Sequence, residues 1–217
     1  MPGDVRAMVD VHVAAFPGFF LTLLGPRFLH RLYRALVRDS TCVCLVAAGL
    51  SGLTGLIVGP LEPRGFFRRL IFREGLGFAF DALPALIRQP SLVVPRLVSA
   101  VSYRGETPLR YPRTALVSSI AVRPDAAGTG VAAALLEAFC IEAAARGAQH
   151  VCLTTDRDSN TAANRFYVKH QFVLESNIKR SGGRVMNRYL RSLVQSEARS
   201  NSVSVVTCPV IFGPTDS

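Results

Sequence analysis

Apolar residues recur at helical spacing from the first residues onward. Val5, Met8, Val9, His12 and Val13 fall on one face and predict a helix over 2–15. Phe28, Leu29, Leu32, Tyr33 and Leu36 repeat the spacing, with Arg27, Arg31, Arg34 and Arg38 on the opposite side, and predict a second helix over 21–38. Phe16-Pro17-Gly18-Phe19-Phe20 forms an aromatic loop between them. Ser40 to Leu61 carries no charge and is long enough to cross a bilayer, but Gly49, Gly52, Gly55, Gly59 and Pro60 interrupt it. Two β-rich runs about Ser51-Gly52 read instead as a buried hairpin. The apolar run at 16–25 follows Asp4 and Asp10 and contains Pro17, which is not the pattern of a secretory leader, so a cytoplasmic protein is expected.

The pattern changes in the middle of the chain. Residues 63–112 read as an inserted set of helical segments punctuated by Pro84, Pro90 and Pro95, carrying Phe66, Phe67, Phe72, Phe78 and Phe80. Residues 114–122 then read as a strand, 128–147 as an Ala-rich helix, 150–155 as a strand and 160–170 as a short helix. Strands near 171–179 and 184–190 flank Ser181-Gly182-Gly183, and the Ser- and Thr-rich residues 194–217 read as a loosely attached tail. Strand, helix, strand, helix and hairpin in that order predict an α/β domain over 1–193 with a mixed sheet.

Composition adds a sign. Of the 25 basic residues only Lys169 and Lys179 are lysine, so the formal charge of +10 is almost wholly arginine, which favours an anionic ligand or surface such as phosphate. Nine Arg against four acids between Glu62 and Arg113 place half of that charge in the insertion. Its phenylalanines are read first as an intramolecular lid or a homodimer contact, and second as a peripheral membrane contact serving a lipid-linked acceptor. The arginines are otherwise scattered, with no reading helix or stacking platform, so nucleic acid is not an expected partner. Cys42, Cys44, Cys140, Cys152 and Cys208 sit at no metal spacing and are read as buried thiols, with no metal expected.

Two motifs carry chemistry. Ala127-Gly128-Thr129-Gly130-Val131-Ala132 joins a strand to a helix, and glycines there let backbone N–H groups approach a pyrophosphate at a helix N-terminus. Gly128, Gly130 and Ala133, with Asp156 downstream, also satisfy a dinucleotide fingerprint. That rival fails because Arg123 to Ala127 separate the glycines from their strand and too few strands follow. A P-loop is excluded because no Lys follows the second glycine. The second motif is Asn160-Thr161-Ala162-Ala163-Asn164-Arg165-Phe166-Tyr167-Val168-Lys169-His170-Gln171-Phe172.

Together these motifs resemble the GNAT N-acetyltransferase superfamily, whose pattern at the second is N-x-x-A-x-x-F/L-Y-x-K-x-G-F. The resemblance spans at least 114–190. It implies a single domain whose mixed sheet splays between the strands at 114–122 and 150–155. It implies acetyl-CoA or another acyl-CoA as donor, with the pantetheine arm along Ile120, Ala121 and Val122 and the pyrophosphate at Ala127, Gly128, Thr129, Gly130, Val131 and Ala132. Asn160 would contact the pantetheine or orient the site, and Tyr167 would face the leaving sulfur as general acid. The acceptor would be a small-molecule or peptide amine, entering beside Phe16, Phe19 and Phe20. The chain departs from the pattern at Ala127, where Arg or Gln is usual, at Gln171, where Gly is usual, and at Thr155, where some relatives carry Glu. Asp156, Glu175 and His170 are read as surface or structural groups, so no base is named. The absent base keeps a non-catalytic CoA-binding regulator as the alternative.

Overall fold

A computed structural model describes residues 2–50, 52–88, 90–91, 93–94, 111–180, 183–193 and 205–207. Helix α1 spans Pro2–Ala15 as predicted, burying Met8, Val11 and His12, while Val13 turns outward. The predicted second helix is two: α2 (Phe20–Leu23) and α3 (Pro26–Arg38). The break falls at Gly25, whose φ of 94° is open to glycine, followed by Pro26, which suits a first helical position. The uncharged stretch is an antiparallel hairpin of β1 (Cys42–Gly49) and β2 (Gly52–Pro60).

Helix α4 (Phe66–Arg88) runs through Pro84 where punctuation was expected. Pro84 lies on the exposed face, so the Phe80 carbonyl that it leaves without an N–H partner is on the solvent side. Phe66 is buried and Phe28 stacks on Phe78 at 4.9 Å, but Phe72 and Phe80 remain exposed; the lid reading does not hold for them among the described residues. Residues 95–110 of the insertion lie outside the described residues.

The predicted strand at 114–122 is broken into β3 (Thr114–Leu116) and β4 (Ser119–Val122). After it come α5 (Val131–Ala145), β5 (His150–Asp156), α6 (Thr161–Lys169), β6 (Val173–Lys179) and β7 (Val185–Ser192). Three residues of the expected tail form β8 (Val205–Thr207), antiparallel to β1. One sheet therefore has the order β4-β2-β1-β8 and the other β3-β5-β7-β6.

Strand alternation gives the first sheet two apolar faces. Cys44, Val46, Leu56, Val58 and Ala121 pack under α1, α3 and α4, while Val43, Leu45 and Ile57 pack under α5. Leu135, Leu136 and Phe139 of α5 are fully buried, worth roughly 1.5–3 kcal/mol each. The four described cysteines are buried, and burial pushes the Cys140 and Cys152 thiols up to about 12, which makes them inert packing groups. No helix among the described residues is long and apolar enough to cross a membrane.

Candidate active site

The break between β3 and β4 opens a slot. β3 runs parallel to β5 from Thr114 opposite His150 to Leu116 opposite Cys152, and the Val117 N–H still reaches the Cys152 carbonyl at 2.9 Å. Beyond that rung the chain leaves β5: the Ser118 N–H bonds to the Val58 carbonyl at 2.9 Å, and β4 pairs with β2 alone. Gly59 makes this crossing possible. A Cβ placed there would lie 1.7 Å from the Leu116 carbonyl oxygen.

Parity then shows which donors face the opening. The Arg123 N–H bonds to Thr54 at 2.8 Å, one rung past Val122 opposite Gly55. Alternation along an antiparallel ladder turns Ala121 and Ser119 toward β2 and leaves the N–H groups of Ile120 and Val122 directed away from it, toward the diverging edge of β5. Ala121, predicted with them, is buried and its side chain belongs to the core beneath α1.

At the open end of β4 the short turn Pro124–Ala126 leads into Ala127–Gly130. Gly128 and Gly130 have φ of 80° and 89°, and no side chain caps α5. The hydroxyl of Thr129 is spent on the Ala126 carbonyl at 2.7 Å, so it acts within the turn. The first N–H groups of α5, from Val131, have no partner within the helix and stand at its positive end. The turn is exposed, and a Cβ at either glycine would meet nothing within 4 Å. Glycine is thus required by backbone conformation, and the surroundings leave room for a phosphate. Side-chain loss at Ala127 leaves this backbone arrangement in place.

Helix α6 packs on β5, the far wall of the slot. Asn160 precedes it and donates from Nδ2 to the Thr155 hydroxyl at 2.8 Å, so Thr155 holds Asn160 at the end of β5. Tyr167 is buried among Phe166, Phe172 and Tyr189, and desolvation pushes its phenol up to about 12. Gln171, in the place of the usual glycine, adopts φ 66°, which explains why glycine suits this position.

Asp156 is paired with the Arg184 guanidinium, and Glu175 lies 3.5 Å from that of Arg188. His170 stacks on Phe166 at 4.6 Å, and burial lowers its pKa. Phe16 stacks on His12 at 5.0 Å and on Phe19 at 5.1 Å, whereas Phe20 packs into a separate cluster with Leu24, Phe28 and Ala82. The aromatic loop therefore does not present its three rings as one wall.

Two arrangements escaped sequence reasoning. Asn164 donates to the Asp156 carbonyl at 2.8 Å and accepts from Asn187 at 2.8 Å and Tyr189 at 2.9 Å, tying α6 to both β5 and β7. The spacing of Asn160 and Asn164 by one helical turn was the available signal. The second is a buried pair, His12 Nδ1 and the Tyr33 hydroxyl at 2.7 Å, with Ser119 of β4 hydrogen bonding to Tyr33. Among the described residues His12 Nε2 has no hydrogen-bond partner, and burial brings the imidazole down to about 4. No group of three or more metal-ligating side chains occurs among the described residues.

Residues 93–172 match the family model described as Acetyltransferase (GNAT) family. No curated protein sequence matches the chain. Among solved structures, an aminoglycoside 6'-N-acetyltransferase complexed with coenzyme A aligns with a TM-score of 0.59 at 9% identity, covering 91% of this chain and 95% of that one. An N-acetyltransferase from Staphylococcus aureus Mu50 aligns at 0.58 and 15% identity, covering 89% and 94%. The ribosomal-protein-S18-alanine N-acetyltransferase from Escherichia coli aligns at 0.54 and 14%, covering 92% and 94%.

Proposed function

We propose, from the match of residues 93–172 to the GNAT acetyltransferase family model and from the fold, that this chain moves an acyl group, acetyl in the simplest case, from acyl-CoA to a primary amine. The observation that carries this reading is the juxtaposition of the slot between β4 and β5 with the uncapped start of α5. The pyrophosphate would rest on the N–H groups of Gly128 to Ala132, and the pantetheine amides would pair with Ile120 and Val122, whose N–H groups face away from β2. Asn160, fixed by Thr155, would stand at the far wall. CoA supplies the activated thioester; the protein supplies position and a polar lining.

In the transfer, the amine nitrogen attacks the thioester carbon, the C–N bond forms, and the C–S bond breaks. The proton lost by nitrogen balances the proton gained by sulfur. An N–H directed into the slot stabilises the oxyanion. With its phenol near 12, Tyr167 is the protonated form at any working pH. Full transfer to a thiolate of ordinary pKa of about 8.5 would then be uphill by about 5 kcal/mol. Its role here is a hydrogen bond donated to the departing sulfur, strongest as negative charge develops there.

The acceptor amine is of a small molecule or a peptide, reaching the slot from the side of α1, with Phe16 and Phe19 at the approach. One experiment tests the whole reading: acetyl-CoA affinity by calorimetry and thiol release with a panel of amines, for the parent chain, Gly130→Glu and Tyr167→Phe. Gly130→Glu, folded by circular dichroism, is expected to lose acetyl-CoA binding. Tyr167→Phe is expected to keep affinity and slow turnover by roughly one hundredfold, the cost of losing one hydrogen-bond donor to the developing charge. Unchanged affinity in the first variant removes the phosphate cradle, and CoA binding without thiol release from any amine identifies a regulator instead of an enzyme.

A further inference from the structure

Helix α4 shows water a face that an ordinary surface helix would bury. Phe72 and Leu76 are 94% and 92% exposed, and Phe80, Leu83 and Ile87 continue the same stripe at spacings of four, three and four residues. The stripe extends for about 22 Å along the helix. Apolar stripes of this extent mark a contact surface.

The charges on α4 are sorted by side. Its two acids, Glu74 and Asp81, both turn toward Arg31 of α3, at 3.6 and 2.6 Å. Arg68, Arg69, Arg73 and Arg88 are exposed, and among the described residues only Arg73 meets carboxylates, at 3.9 Å. The face that carries the stripe is therefore phenylalanine, leucine and isoleucine framed by cations, with no carboxylate directed outward. On the other side of α4 from the stripe, facing α3, Arg27, His30, Arg31 and Arg34 line a depression of about 230 Å³ whose one acid is Asp81, already bound to Arg31.

We propose that α4 docks this protein on the surface of an anionic lipid bilayer, with the stripe in the acyl-chain boundary and the arginines at the phosphates. Apolar side chains flanked by arginine match both layers of such a surface. A second copy of the chain matches them poorly. A two-fold contact through this face would bring like charges together and bury arginines with no acid opposite. The inference does not depend on the acyl-transfer reading, because lipid binding is measured without turnover.

The test is sedimentation of the full-length chain with phosphatidylcholine vesicles containing, or lacking, about one third phosphatidylglycerol. Parent protein is expected to pellet with the anionic vesicles and to be released by high salt. Phe72→Ser/Leu76→Ser is expected to lose roughly tenfold or more in partitioning, and Arg68→Gln/Arg69→Gln a similar amount, with melting temperatures unchanged. Failure to bind anionic vesicles overturns the proposal. So does equal binding to neutral vesicles, or a dimer in analytical ultracentrifugation that Phe72→Ser/Leu76→Ser dissolves.

Discussion

The two faces of the first sheet are covered in opposite ways. On one side α5 closes the sheet with Leu135, Leu136 and Phe139 at zero exposure, and its N-terminus ends in the glycine turn. On the other side α1, α3 and α4 form a layered cover that buries a polar pair, His12 and Tyr33, and sends part of its apolar surface outward on α4. The difference separates two uses of a helix. A dry, single-helix face holds the glycine turn and the start of α5 in place, because close-packed side chains leave the helix little freedom to shift. A thicker face can tolerate a polar inclusion and dedicate its outermost helix to contact with something else.

The sharpest way to break this contrast is to empty the α5 side. Leu136→Ala is expected to destabilise the fold by about 3 kcal/mol or more and to lower the thermal midpoint, as measured by calorimetry. If it costs less than about 1 kcal/mol, the α5 face is not the rigid support described.

The layered face should respond to acid. His12 has its pKa lowered to about 4 in the fold, against 6.5 when unfolded, so the unfolded chain binds the extra proton between these values. Stability from keeping this histidine neutral is present above about pH 6.5 and is lost as pH falls toward 4, by about 3 kcal/mol in all. Urea melts at stepped pH check this, and His12→Gln should flatten the slope in that window.

A smaller effect is expected at Gln171, on the α5 side where α6 meets β6. Relief of its positive φ by Gln171→Gly should stabilise the protein by about 1 kcal/mol. The smallest effect belongs to α4: Phe72→Ala should change stability by no more than about 0.5 kcal/mol, because the ring contacts mainly solvent. A loss comparable to that of Leu136→Ala would show that the stripe is covered in solution by protein.

Much of the candidate site is local chemistry, and its backbone conformation was legible in local sequence. Gly128 and Gly130 can take positive φ without the steric cost a Cβ would add, and a helix after them offers its N–H groups. The hairpin likewise followed from short β-rich runs punctuated by glycine. The second-helix boundary was misplaced because leucine and phenylalanine at helical spacing continue across 21–38, while Gly25-Pro26 stops the helix through one dihedral angle and one missing N–H.

What the chain alone determined, then, is which segments form helices and strands and where backbone donors cluster, since both depend on neighbours within a few residues. Tertiary structure alone decided where the strand at 114–122 would break, because that depends on Gly59 letting a distant carbonyl approach. It also decided which face of α4 turns outward. Seven-residue spacing already puts Glu74 and Asp81 on one face of α4, and the position of Arg31, across the groove on α3, turns that face inward and leaves an outward face of apolar residues and cations.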